Sequence, residues 1–151
     1  MIDLYREMIE KAIQYLAQKK IDIYTFAFYH DHESFAVSIC VDTLIDSENA
    51  VKSSNSFKME QFYSAIYSNE IKGLILNKLD TGRSFSLGDF TCVNLSRKDI
   101  PEEMIITDQF YFDMIKAINE KKDKIIALST KPEEVVFCCS TEDDEVGIIW
   151  K

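Results

Sequence analysis

The densest group of chemically useful side chains is His30-Asp31-His32-Glu33, which places both histidines of the chain beside two carboxylates. On an extended backbone His30 and His32 project to the same side, so with Glu33 or a distant acid they could offer a metal two nitrogens and an oxygen. The same tetrapeptide suits the tip of a β-hairpin, where polar residues face water. No third ligand is identifiable by spacing, so the exposed turn is the preferred reading, and a small metal-dependent enzyme using the His30/His32 region is the alternative. Nucleophilic catalysis would pair a serine or cysteine with one of these histidines and an orienting acid. No serine stands in a Gly-x-Ser-x-Gly elbow, and Cys40, Cys92, Cys138 and Cys139 all lie in apolar, strand-like runs. Neither common phosphate-cradling glycine motif is present, and 4 glycines leave little to build one from. No cofactor is expected.

Two groups of acids are the candidates for contact with a protein partner. Glu142-Asp143-Asp144-Glu145 would form the tip of a C-terminal hairpin, and Asp42, Asp46 and Glu48 surround a polar segment after the first hairpin. Carboxylates clustered beside exposed aromatics steer a basic partner by long-range attraction, raising the on-rate more than the affinity. The competing reading of the four-acid tip is a solvated turn that discourages edge pairing. The chain as a whole has 26 acidic against 17 basic residues, a net charge of -9. That field repels phosphate backbones and anionic lipid, so nucleic acid and membrane surfaces are not expected ligands.

These residues need a scaffold, and a chain of 151 residues, 46% of them hydrophobic, can bury a core without disulfide or metal. No cysteine spacing matches a zinc module, and adjacent Cys138 and Cys139 would point to opposite faces of a strand. The opening residues carry acids and no uninterrupted apolar run, and no stretch approaches membrane-spanning length, so a reducing cytoplasm is the expected compartment.

The organising stretch is Ile21 to Asp42, two β-rich runs around the polar break at His30 to Ser34. The first run is apolar on both faces, as in an interior strand. The second places Phe35, Val37, Ile39 and Val41 on one face and the smaller Ala36, Ser38, Cys40 and Asp42 on another, predicted to be lightly covered. Before it, Ile2, Tyr5, Ile9, Ala12, Ile13 and Leu16 make a helical stripe. After it, residues 43–56 read as a mobile loop with one helical turn. Met59, Phe62, Tyr63, Ile66, Tyr67, Ile71, Leu74, Ile75 and Leu79 then recur at helical spacing, which assigns Phe62, Tyr63 and Tyr67 to the core, with Gly73 a point where the helix could split. Ser84–Leu87 and Phe90–Leu95 are strand-like around Gly88-Asp89, fitting a tight turn or one bulged strand. Ile100-Pro101-Glu102-Glu103 has the composition of a helix start, and Phe110, Tyr111, Met114, Ile115 and Ile118 form the stripe of the stronger helix that follows. Val135–Ser140 and Val146–Trp150 form the last hairpin. The expected fold is one α+β domain: an antiparallel sheet built from hairpins, covered by about three helices.

The opening amphipathic helix, the Ile23–Tyr29 strand with its partner, and the Asp46-Ser47-Glu48-Asn49-Ala50 segment resemble the layout of small bacterial α+β proteins, many of them proposed immunity partners in polymorphic toxin systems. The resemblance implies a non-enzymatic cytoplasmic inhibitor that occludes the active site of a cognate toxin, often a basic nuclease. It carries over no functional residue. A homo-oligomeric module pairing through an exposed edge is a further alternative.

Overall fold

The computed structural model describes residues 1–151. Its sheet is built outward from the expected hairpin. Thr25–Asp31 (β1) and Ala36–Asp42 (β2) pair antiparallel, from Thr25 opposite Asp42 to Asp31 opposite Ala36. The Asp31 carboxylate accepts from the Ser34 amide at 3.1 Å, and Phe35 adopts a left-handed φ of 47° to complete the turn. Cys92–Asp99 (β3) adds to the outer edge of β2, with a bulge where Asn94 takes φ 57°. Val136–Cys139 (β4) and Ile148–Trp150 (β5) complete the order β3-β2-β1-β4-β5.

The sheet is mixed, which corrects the antiparallel expectation. β4 lies parallel to β1, with Phe26 opposite Phe137 and Phe28 opposite Cys139. β3 has taken the open side of β2, so the only free place beside the hairpin is the other edge of β1. The helix Asp108–Ile126 (α4) carries the chain back along the sheet before it reaches that edge, and a strand entered after such a crossover runs with its neighbour.

One face of the sheet meets α4 and the helix Ile2–Lys19 (α1). Tyr5, Met8, Ile9, Ala12 and Leu16 of α1 and Phe110, Met114, Ala117 and Ile118 of α4 pack over Phe26, Phe28, Val37, Ile39 and Phe137 in one buried cluster. Both stripes thus do what their 3.6-residue period predicts. Along their shared rim Arg6 grips Glu120 through two nitrogens at 2.6 and 2.7 Å, and Lys121 and Lys124 share Glu10 at 2.6 and 3.1 Å.

The other face is the small-residue side, and it is fully covered: every residue of β2 is buried. Ala27, Cys40 and Cys138 are roofed by Leu87 and Phe90, with Tyr29, Phe85 and Val146 at the margin. The roof is an irregular strap rather than a hairpin. Leu87–Asp89 is a single 3₁₀ turn, and Ser84–Leu87 forms no strand, because short side chains on the sheet let a loop lie directly upon it. Cys138 and Cys139 fall in the two different clusters, as their adjacency in a strand requires. Burial pushes both thiols up to about 12, so they stay protonated packing groups.

Three local expectations are overturned. Residues 43–56 are the first half of a long helix, Leu44–Ser68 (α2), capped by Thr43, whose hydroxyl accepts from the Asp46 amide at 3.3 Å. This half lacks an apolar stripe because it rests on the polar start of the strap: Ser54, Asn55 and Lys58 all bind Asp80, at 2.7, 2.9 and 2.6 Å. The chain does divide near Gly73, into α2 and the short helix Ile71–Leu76 (α3). However, Tyr63 and Tyr67 are exposed, and Phe62 is only partly covered. Finally, Ile100–Glu103 is a turn, and α4 begins at Asp108. No helix is long and apolar enough to cross a membrane.

Candidate functional site

The parallel pairing of β1 and β4 decides which of the sequence candidates meet. It carries Ser140, the residue after β4, to the end of β1, where its amide donates to the Phe28 carbonyl at 3.1 Å and its hydroxyl accepts from the His30 amide at 3.0 Å. That hydroxyl in turn donates to the Glu145 carbonyl at 2.7 Å. The acidic loop is tied further by the Thr141 amide on the Asp144 carbonyl, 2.9 Å, and the Asp144 amide on the Thr141 hydroxyl, 3.2 Å. Gly147 closes it against Thr141: a β-carbon there would come within 2.4 Å of the threonine side chain. Glu142, Asp143, Asp144 and Glu145 are therefore exposed acids on a braced turn.

Both histidines join this end of the molecule. His30 lies inside β1, not in the turn, and is buried, which corrects its assignment to an exposed tip. Its Nδ1 is 3.1 Å from the Tyr111 hydroxyl, and its ring lies against Phe110 and the exposed His32, at centroid distances of 4.9 and 4.0 Å. His32 donates from Nε2 to the Thr141 carbonyl at 3.2 Å, a contact that fixes its proton on that nitrogen because a carbonyl only accepts. Burial, with a smaller effect from His32, pulls the His30 pKa down to about 4. The two rings do project to one side, yet nowhere do three His, Cys, Asp or Glu side chains converge as a metal cage.

Beside the acidic loop runs a groove of about 360 Å³ between α4 and β5. Tyr111, Phe112, Ile115 and Ile148 line it, and Asp108, Glu142 and Asp143 stand at its edge. Phe112 is 55% exposed. Burial and then the charge of Glu142 raise the Tyr111 pKa, so its phenol stays neutral between His30 and the groove. An apolar wall with carboxylates at its lip suits a chain that is aliphatic along its stem and cationic at its head, as lysine and arginine are.

The other acid group is separate. Asp42, at the opposite end of the sheet, is buried and accepts from the Thr43 and Thr91 amides at 3.0 and 3.2 Å. Burial raises its pKa. Asp46 is half-buried and takes the Thr91 hydroxyl at 2.5 Å. Asp42 therefore leaves the candidate partner surface, Asp46 has one carboxylate oxygen engaged, and Glu48 is the fully exposed acid of that group. Asp42 turns inward because it lies on the small-residue face of β2 that the strap covers.

Sequence reasoning placed Tyr111 and Ile115 in the core stripe of α4 and passed over Asp108 and Phe112. The signal was a second stripe, Asp108, Phe112 and Ile115 at four- and three-residue spacing, rotated away from Phe110, Met114 and Ala117. Compared with family models, curated proteins and solved structures, the chain matches none of them. The fold defines its class as a single-domain α+β protein.

Proposed function

We propose that this chain is a non-enzymatic binding protein whose acid-lipped groove receives a lysine- or arginine-bearing segment of a protein partner. The observation that carries the reading is the juxtaposition of Phe112, Ile115 and Ile148 with Asp108, Glu142 and Asp143 along one groove. A net charge of -9 supports it, by favouring encounter with a basic surface and disfavouring nucleic acid. In a bacterial cytoplasm the partner that fits is a co-encoded toxin domain, blocked when the groove and acidic loop cover the cationic residues that would otherwise meet its substrate. On this reading the chain acts as an immunity protein, and the inhibition is stoichiometric.

Co-expression with a basic toxin domain, should one be encoded beside it, is expected to protect the cell and yield a complex. Reversing the lip with Glu142→Lys and Asp143→Lys should abolish both, at a cost of about 2–5 kcal/mol where these carboxylates are desolvated against cations. Glu48→Lys, at the far end of the sheet, should leave protection intact. Equal protection by the lip variant would overturn the assignment.

A further inference from the structure

The second half of α2 and all of α3 form a helical hairpin that lies outside both buried clusters. Asn69, with a left-handed φ of 56°, ends α2, and α3 folds back along it. The two backbones touch at Gly73, where a β-carbon would come within 2.6 Å of the Ala65 β-carbon. Side chains flanking this contact are left without a partner. Met59, Phe62, Leu74, Ile75 and Leu79 line an apolar groove of about 520 Å³ between the helices. Tyr63, Ile66 and Tyr67 continue the α2 wall at four-residue spacing from Met59, Phe62 and Tyr63, and Tyr67 is 87% exposed. On α3, Ile71 and Ile75 are each 71% exposed and Leu76 78%.

The occupant follows from charge, area and shape. Residues 57–79 carry Lys58, Lys72 and Lys78 against Glu60 and Glu70, while the whole chain stands at -9. This is a surface on which two copies of an acidic molecule can meet without repulsion, and one that offers a basic partner no attraction. Tyr63 and Tyr67, at 53 and 87% exposure, leave on the order of 300 Å² of aromatic surface open. Adding Ile66, Ile71, Ile75, Leu76 and Leu79 brings the patch toward the ~800 Å² per partner that a stable interface covers. One hairpin also holds both a groove and protruding aromatics of a size to fill it. A two-fold interface needs that self-complementarity, because each copy must supply the knob and the hole.

We infer that the α2–α3 hairpin is a dimerisation surface, on which two copies of this chain pack hairpin against hairpin around Met59, Phe62, Tyr67 and Ile75. The groove beside Phe112 is lined by α4 and β5 and shares no residue with this surface, so the inference does not depend on the proposed partner. The test is the mass of the purified full chain by sedimentation and light scattering across the micromolar range. The expected mass is twice the 17.5 kDa of one chain. Tyr67→Glu with Ile75→Glu should halve it while far-UV circular dichroism stays unchanged, and the milder Tyr67→Ser with Leu76→Ser should weaken association at least ten-fold. Ile105→Glu, at another exposed aliphatic outside the hairpin, should leave the dimer intact. A native chain that is monomeric at every concentration, or a dimer indifferent to the hairpin substitutions, overturns the inference.

Discussion

His30 is enclosed by Phe110, Tyr111 and His32, so giving it a proton places a cation among aromatic rings and beside a second imidazole. Asp31 is the one nearby charge that opposes this, and it is engaged by Arg97 at 2.9 Å. An unfolded histidine titrates near 6.5 and this one near 4, so the native state holds its full advantage above pH ~6.5. That advantage is lost as the pH falls from there through 4, by up to about 3 kcal/mol. Asp22 and Asp31, whose carboxyls are held below their ordinary values, lose their contributions only under more acid conditions. Denaturant melts should therefore show stability declining on acidification before Asp22 and Asp31 titrate, and His30→Gln should flatten that part of the profile. An unchanged profile in the variant would place the acid sensitivity elsewhere.

The strap crosses the small-residue face of the sheet without regular strand pairing, and one cation ties its start down. Arg83 donates to the Tyr24 carbonyl, to the Thr25 hydroxyl at 2.7 Å and to the Glu134 carbonyl at 2.5 Å, with its guanidinium 3.4 Å above the Tyr24 ring. It thereby joins the strap to the start of β1 and to the turn before β4. Arg83→Ala should cost about 2–4 kcal/mol in urea denaturation, since three charge-assisted hydrogen bonds and a stacked aromatic contact are lost together. Arg83→Lys should recover little of it, because a single ammonium cannot reproduce a planar fork that reaches three acceptors and stacks on an aromatic ring. Recovery by lysine would show that charge alone holds the strap.

For the molecule as a whole, charge and apolar surface are separated. The acids concentrate on the loop beside the Phe112 groove, and the largest uncovered apolar surface is on the near-neutral α2–α3 hairpin. The two surfaces should respond to salt in opposite ways. Association of an arginine- and leucine-containing peptide with the groove, followed by stopped-flow fluorescence, should slow ten-fold or more between low salt and ~1 M, where the Debye length shrinks to about 3 Å. Its dissociation rate should change far less. Dimerisation through the hairpin should hold or strengthen over the same range, because salt does not screen apolar contact. A peptide on-rate indifferent to salt would remove the steering role of the acidic loop.

The sequence alone determined the elements whose burial is periodic. α1 and α4 were legible because each lays one face on the sheet, which is written as a 3.6-residue repeat, and the two hairpins because their apolar β-rich runs are interrupted by polar turns. It also determined that Cys138 and Cys139 face opposite ways. The polar half of α2 was not legible, because its neighbour is Asp80 and its loop rather than a hydrophobic sheet. Tyr63 and Tyr67 have core spacing without core burial, since spacing records which side chains share a face and not what lies opposite it. Only the tertiary structure decided that β4 runs beside β1, and with it that Glu142 and Asp143, His30 and His32, and Phe112 gather at one end while Asp42 turns inward at the other. Those contacts join residues about a hundred positions apart, and strand order across such a distance is set by which sheet edge remains open when the chain returns, a property of the assembled layers that no local stretch encodes.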